Sequence, residues 1–131
     1  MSGHGNGQRH PLAHARGLGS AKEGSQHWWA QRVSAVALAV LSPWFVLLAI
    51  ELAGSDRDGA RTLIAEPITA TLLIAWVLAL FWHARLGVQV VIEDYIHQRG
   101  LELALQLVVR FVFALAAIAA VLAIARIVFS A

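Results

Sequence analysis

The sequence predicts an all-α membrane protein with three transmembrane helices and a polar N-terminal segment. Of its 131 residues, 59% are hydrophobic and 14% are charged, and the mean hydropathy is +0.67. A soluble domain of this size keeps too much surface exposed to hide so many apolar side chains. They also cluster in blocks nearly free of charge, at residues 33–50, 68–82 and 111–125. With its flanks, each block reaches the roughly 20 residues that cross a bilayer.

Residues 1–28 are predicted to form a polar, largely extended segment, and residues 29–131 the three-helix anchor. The first segment offers little apolar surface to offset the entropy of ordering. Trp28 and Trp29, at its end, are typical of a membrane interface. A cleaved signal peptide is the competing interpretation of the first apolar block. That block is longer than a signal h-region and follows a long polar stretch, which argues against cleavage.

The helices are predicted at about residues 30–53, 66–96 and 101–129. Pro67 favours a helix start, because proline is well tolerated in the first turn. The polar stretch GSDRDGAR, residues 54–61, predicts a turn between the first two helices. The stretch HQRG, residues 97–100, predicts the second turn.

The charges predict the orientation and exclude some functions. Lys and Arg are in excess on the N-terminal side of the membrane, which predicts a cytoplasmic N-terminus and an outside C-terminus. This side carries Arg9, Arg16, Lys22, Arg32 and Arg99, and the other carries Arg57, Arg61 and Arg126. The basic residues form no patch or stripe, so no nucleic-acid partner is expected. The sequence contains no cysteine, which excludes disulfides and thiolate metal sites.

The most informative stretch is FWHARLGVQVVIEDYIHQ, residues 81–98. It places His83 inside an apolar helix, where an ionisable side chain usually faces the protein and marks a site. His83 shares one stripe of the helix with Trp76, Leu80, Gly87, Val90 and Asp94. Gly87, one turn further on, leaves room for a flat group. The imidazole could ligate haem iron, hydrogen-bond a neighbouring helix or relay protons, and the spacing leaves all three open.

No second histidine lies deep in a predicted helix, so ligation of a haem by two histidines would need another subunit. Asp94 and Tyr95 follow His83 by roughly 16–18 Å along the helix, at the predicted cytoplasmic interface and level with Arg32. They are either an anchor tyrosine and a solvated carboxylate or, with Arg32, a site for a polar headgroup. Ser34 is expected to satisfy a backbone carbonyl, and Arg85 to extend toward the cytoplasmic surface.

Two stretches carry a resemblance to a known family. RGLGSAKEGSQHWWAQRVSAVAL, residues 16–38, and HARLGVQVVIEDY, residues 83–95, with the pattern H-(x)10-D-Y, resemble the D-type hydrophobic membrane anchor of bacterial succinate dehydrogenase. The resemblance implies a subunit of succinate:ubiquinone oxidoreductase in the bacterial inner membrane, with its C-terminus in the periplasm. Such a complex serves the respiratory chain and the tricarboxylic acid cycle. Its other subunits are a flavoprotein, an iron–sulfur protein and a cytochrome b anchor, and the D anchor is not catalytic alone.

The resemblance also implies roles for individual residues. His83 would be one axial ligand of haem b, shared with a histidine of the cytochrome b anchor. Tyr95 would hydrogen-bond ubiquinone, with Asp94 beside it, and Arg32 would lie near the haem propionates or the quinone. Ser34 stands where the family is expected to have threonine. Two alternatives remain, a cofactor-free structural subunit of another membrane complex and the anchor of a fumarate-reducing relative.

Overall fold

Four α-helices make up the described part of the chain. The computed structural model describes the backbone of residues 11–130 and the side chains of residues 24–130. The helices are α1 (Pro11–Gly54), α2 (Arg57–Ala65), α3 (Pro67–Tyr95) and α4 (Arg99–Ser130). Three segments are long and apolar enough to cross a membrane, namely Gly24–Gly54, Pro67–Tyr95 and Arg99–Ser130. The predicted all-α fold with three spans is thereby confirmed.

Helix α1 begins well before the position expected from the apolar block. The segment at residues 1–28 was expected to be largely extended, but the structure is helical from Pro11 onward, and residues 1–10 lie outside the described part. Ala13, Ala15 and Ala21 are strong helix formers. Extending an existing helix also costs far less than nucleating a new one. A polar composition therefore does not by itself prevent helix formation next to a membrane span.

Helix α2 occupies the region where the sequence predicted a polar turn. The Asp56 carboxylate accepts a hydrogen bond from the Gly59 N–H at 2.8 Å, as is typical of a helix N-cap. Arg61, also in α2, donates from its guanidinium to Ser130 Oγ of α4 at 3.3 Å. This bond holds α2 against the last turn of α4.

The chain divides into two units, residues 1–30 and 31–131. In the first unit, the rings of Trp28 and Trp29 form a T-shaped, edge-to-face pair with centroids 5.3 Å apart. The second unit contains the packed helices. Its core cluster consists of Leu48, Ala70, Leu73, Val77 and Ile124, so α1, α3 and α4 all contribute to it.

Aromatic contacts hold the three long helices together. Phe45 of α1 stacks on Trp76 of α3, with centroids 3.7 Å apart and the rings 7° from parallel. Trp76 Nε1 also donates to Ser42 Oγ at 3.1 Å. The rings of Phe81 in α3 and Phe113 in α4 pack edge-on, with centroids 6.2 Å apart. Offset and edge-on aromatic pairs add packing energy beyond the area they bury.

Most of the apolar surface is nevertheless exposed in the isolated chain. Val40 is 70% exposed, Ile68 68% and Phe111 68%. Apolar faces of this size are covered by lipid or by other subunits in a membrane protein. Such extensive exposure indicates that three helices are too few to enclose a core of their own.

The adjacent residues Leu47 and Leu48 allow a test of this packing, because they are 64% and 5% exposed. Leu48→Ala should destabilise the chain by about 1–2 kcal/mol, since it leaves a cavity while lipid is as apolar as the lost side chain. Leu47→Ala should be nearly neutral. Unfolding of the chain in detergent by increasing SDS, followed by circular dichroism, measures both. Equal losses in the two variants would contradict the assigned core.

Candidate functional site

The imidazole of His83 is hydrogen-bonded to helix α1. Its Nδ1 lies 3.1 Å from Ser34 Oγ, and Ser34 is buried, with only 6% of its surface exposed. A hydrogen bond between helices was one of the three interpretations left open by the sequence. The structure shows this bond, which is compatible with a further bond at the other ring nitrogen.

Ser34 makes a second hydrogen bond within its own helix. Its hydroxyl donates to the backbone carbonyl of Gln31 at 3.0 Å, as the sequence predicted. A hydroxyl has one proton to donate and two lone pairs to accept with. The donor in the 3.1 Å contact between Ser34 Oγ and His83 Nδ1 therefore depends on the tautomer of the imidazole.

The other ring nitrogen of His83 is open to a group from outside the chain. Nε2 has no hydrogen-bond partner among residues 24–130, and it is not among the buried unpaired atoms of that part of the chain. Gly87 lies one turn away, and a Cβ built there would meet no atom within 4 Å. An accessible nitrogen one helical turn from open space leaves room for a bulky ligand.

A metal site formed by this chain alone is absent from the described residues. No three side chains of His, Asp or Glu lie close enough together there to hold a metal ion. His83 is therefore a lone imidazole donor. Such a donor suits haem, in which the porphyrin supplies four ligands and the protein only the axial ones.

Asp94 and Tyr95 lie in the last turn of α3. Both are exposed, Tyr95 to 80%, and neither has a hydrogen bond among the described side chains. The helix ends at this point, where Ile96 N–H bonds to the carbonyl of Ile92 at 3.0 Å. The two polar side chains are thus free to meet a group that approaches the end of the helix.

The register of α1 against α3 gives the height of Arg32. Ser34 contacts His83 and Ser42 contacts Trp76, so the two helices run antiparallel and in step. In this register Arg32 lies across from residues 85–86. It is about 4 Å from the height of His83 but about 13 Å from that of Asp94. The expectation that Arg32 is level with Asp94 and Tyr95 therefore differs from the packing of the helices.

Sequence reasoning did not find the groove between α3 and α4. Its volume is about 390 Å³, and its lining includes Phe81, Trp82, Arg85, Arg110 and Phe113. The guanidinium of Arg85 lies 4.6 Å from the Trp82 ring centroid, a favourable cation–π distance. Arg85 Nε is buried and has no hydrogen-bond partner among the described residues. In the sequence, the only indication of this groove is that Arg85 on α3 and Arg110 on α4 lie at a similar depth in the membrane.

The fold and the site together define a small multi-pass membrane protein with a half-buried imidazole near the middle of one span. Residues 6–123 match the family of succinate dehydrogenase/fumarate reductase transmembrane subunits. The chain belongs to this family.

Curated relatives cover most of the chain. It is 37% identical over 116 residues to the succinate dehydrogenase hydrophobic membrane anchor subunit of Paracoccus denitrificans, which covers 88% of this chain and 89% of the relative. It is 34% identical over 116 residues to the protein of the same name from Rickettsia bellii (strain RML369-C), with 88% and 93% covered. No solved structure matches the chain.

Proposed function

We propose that the chain is the hydrophobic membrane anchor of a succinate:ubiquinone oxidoreductase in the bacterial inner membrane. The names of the relatives from Paracoccus and Rickettsia support this assignment, as does the large apolar surface left exposed by three helices. In this proposal the partners are a flavoprotein subunit, an iron–sulfur subunit and a cytochrome b anchor. The chain contributes no group to succinate oxidation itself.

The observation that carries the proposal is the state of His83, with Nδ1 engaged by Ser34 and Nε2 open. In the proposed site, His83 Nε2 would bind the iron of haem b, and the cytochrome b anchor would supply the other protein ligand. The haem, when bound, carries single electrons. His83 would hold it at a fixed height in the bundle, and Gly87 would leave space for the macrocycle. Arg32, at nearly the height of His83, would pair with the anionic propionates.

The end of α3 forms part of the proposed ubiquinone site. Tyr95 is amphipathic and exposed, and its phenol can donate one hydrogen bond to a quinone carbonyl. That bond strengthens as the carbonyl gains negative charge, because charge-assisted hydrogen bonds are stronger than neutral ones. Asp94, on the same turn, helps deliver protons to the quinone as it is reduced, directly or through a water molecule.

A cofactor-free structural subunit is the second candidate, and the same hydrogen bond between Ser34 and His83 favours it. In that case the imidazole only links two helices, as polar side chains in membranes often do. The two candidates differ at Nε2, which ligates iron in the first and has no role in the second. Spectroscopy of the assembled complex separates them.

The proposed orientation is testable by reporter fusions. The excess of Lys and Arg on the N-terminal side favours a cytoplasmic N-terminus, which puts the α3–α4 turn in the cytoplasm and α2 outside. A reporter active only in the periplasm should give signal at Asp58 and after Ala131, and none at residues 96–98. Periplasmic signal from the α3–α4 turn would overturn the orientation.

The haem assignment predicts a specific spectral change. His83→Leu removes the axial nitrogen, so the reduced-minus-oxidised spectrum and the midpoint potential of haem b should both change in the purified complex. His97→Leu, in the exposed turn after α3, is the matched control and should leave both unchanged. Lost assembly without a change in the spectrum of the remaining complex would favour the structural candidate.

The quinone assignment predicts a selective loss at Tyr95. Tyr95→Phe keeps the ring and removes only the donor. Losing a donor to developing charge typically costs on the order of 3 kcal/mol, or about a hundredfold in rate. Succinate:ubiquinone reductase activity should fall by up to that factor, while succinate oxidation by an artificial acceptor upstream of the quinone stays near wild type. Normal quinone reduction in Tyr95→Phe would make this residue a membrane-interface anchor only.

A further inference from the structure

We infer that Ser34 is a positioning residue for His83: its hydroxyl holds the imidazole in the tautomer that keeps the Nε2 lone pair available to a ligand. The inference deepens the proposed function and rests on it for the identity of that ligand, haem b. Ser34 is buried, and both hydrogen bonds of its hydroxyl are made to protein groups.

The count of protons gives the tautomer. The Gln31 carbonyl can only accept, so the Ser34 hydroxyl donates its one proton in the 3.0 Å contact with that carbonyl. The 3.1 Å contact with His83 is then a hydrogen bond only if Nδ1 carries the proton. In the opposite tautomer, Nδ1 and the hydroxyl oxygen would face each other as two acceptors, unless Ser34 gave up its bond to Gln31.

Burial increases the preference for the first tautomer. Ser34 is 6% exposed, so water cannot readily replace a lost bond, and an unpaired polar group in such surroundings is costly. The Nδ1–H tautomer satisfies both contacts at once, whereas the Nε2–H tautomer satisfies one of them. A neutral imidazole with a proton on Nδ1 has its remaining lone pair on Nε2, the nitrogen that makes no hydrogen bond within the described residues.

The same bond affects the strength of the ligand. A histidine that donates its second ring N–H to an acceptor has a fixed orientation and a more basic ligating nitrogen. A more basic axial ligand stabilises ferric haem relative to ferrous haem, which lowers the midpoint potential. Ser34 therefore acts on the haem through His83, without touching it.

The structure also provides a matched control for a purely structural role. Ser42 lies two turns further along α1 and accepts a hydrogen bond from Trp76 Nε1 at 3.1 Å. Like Ser34, it links α1 to α3 through one hydroxyl. Ser42 makes no contact with His83, so Ser42→Ala removes a comparable link between the helices and leaves the imidazole alone.

The test compares Ser34→Ala, Ser34→Thr and Ser42→Ala in the purified four-subunit complex by potentiometric titration of haem b. Ser34→Ala should raise the midpoint potential of haem b by about 59 mV. For a one-electron couple, this shift is a roughly tenfold loss of preference for ferric over ferrous haem. Ser34→Thr keeps the hydroxyl and should restore the wild-type value. Ser42→Ala should leave the potential unchanged, whatever its effect on stability.

The outcomes separate the inference from the proposed function. If His83→Leu alters the haem but Ser34→Ala has the wild-type potential, or if Ser42→Ala shifts the potential equally, Ser34 is not a positioning residue. If His83→Leu leaves the haem unchanged, His83 does not bind the haem iron, and the haem part of the proposed function is wrong. The tautomer is then still measured by ¹⁵N NMR of the histidine-labelled complex. A protonated Nδ1 that is lost in Ser34→Ala supports the proton assignment, and a protonated Nε2 in the wild type overturns it.

Discussion

The antiparallel packing of α1 against α3 sets the heights of Arg32 and Ser34 relative to His83, Asp94 and Tyr95. It rests on two hydroxyl contacts, from Ser34 to His83 and from Ser42 to Trp76, and on the stacking of Phe45 over Trp76. Hydrogen bonds between membrane helices form where little water competes for the donors and acceptors. With the register set in this way, Arg32 lies near the height of His83, and Asp94 and Tyr95 lie at the end of the helix.

The exposed surface of the chain explains why its site looks incomplete. The buried cluster contains only a few side chains from α1, α3 and α4, while large apolar residues on all three helices face outward. His83 likewise presents one ring nitrogen to its own chain and the other away from it. A site built by one donor per subunit needs the partner for completion, which matches the proposed sharing of haem b between two anchor subunits.

Much of the fold could be predicted from the sequence because bilayer thickness limits the length of apolar segments. The ends of α3 and α4 lie within two residues of the predicted positions. Helix α2 was missed because its polar first half resembles a turn, although Asp56 is a good N-cap residue. The start of α1 was missed because a polar composition was taken to mean an extended chain.

For the site, the residue types were predictable but their partners were not. The spacing placed His83 and Asp94 on one stripe of a helix, since helical periodicity is a local property. The contact of Ser34 with His83 depends on how two helices pack, and residues 49 positions apart in the sequence give no local signal of it. The height of Arg32 was misjudged for the same reason.

The proteins that surround the chain in its native membrane show directly whether it is the anchor of a succinate dehydrogenase. An affinity-tagged form of the chain is purified from its own membranes in mild detergent, and the proteins that accompany it are identified by mass spectrometry. A flavoprotein, an iron–sulfur protein and a second anchor should accompany the chain, together with haem b absorbance and succinate oxidation. Recovery of the chain with other membrane proteins, and without haem or succinate oxidation, would contradict this assignment.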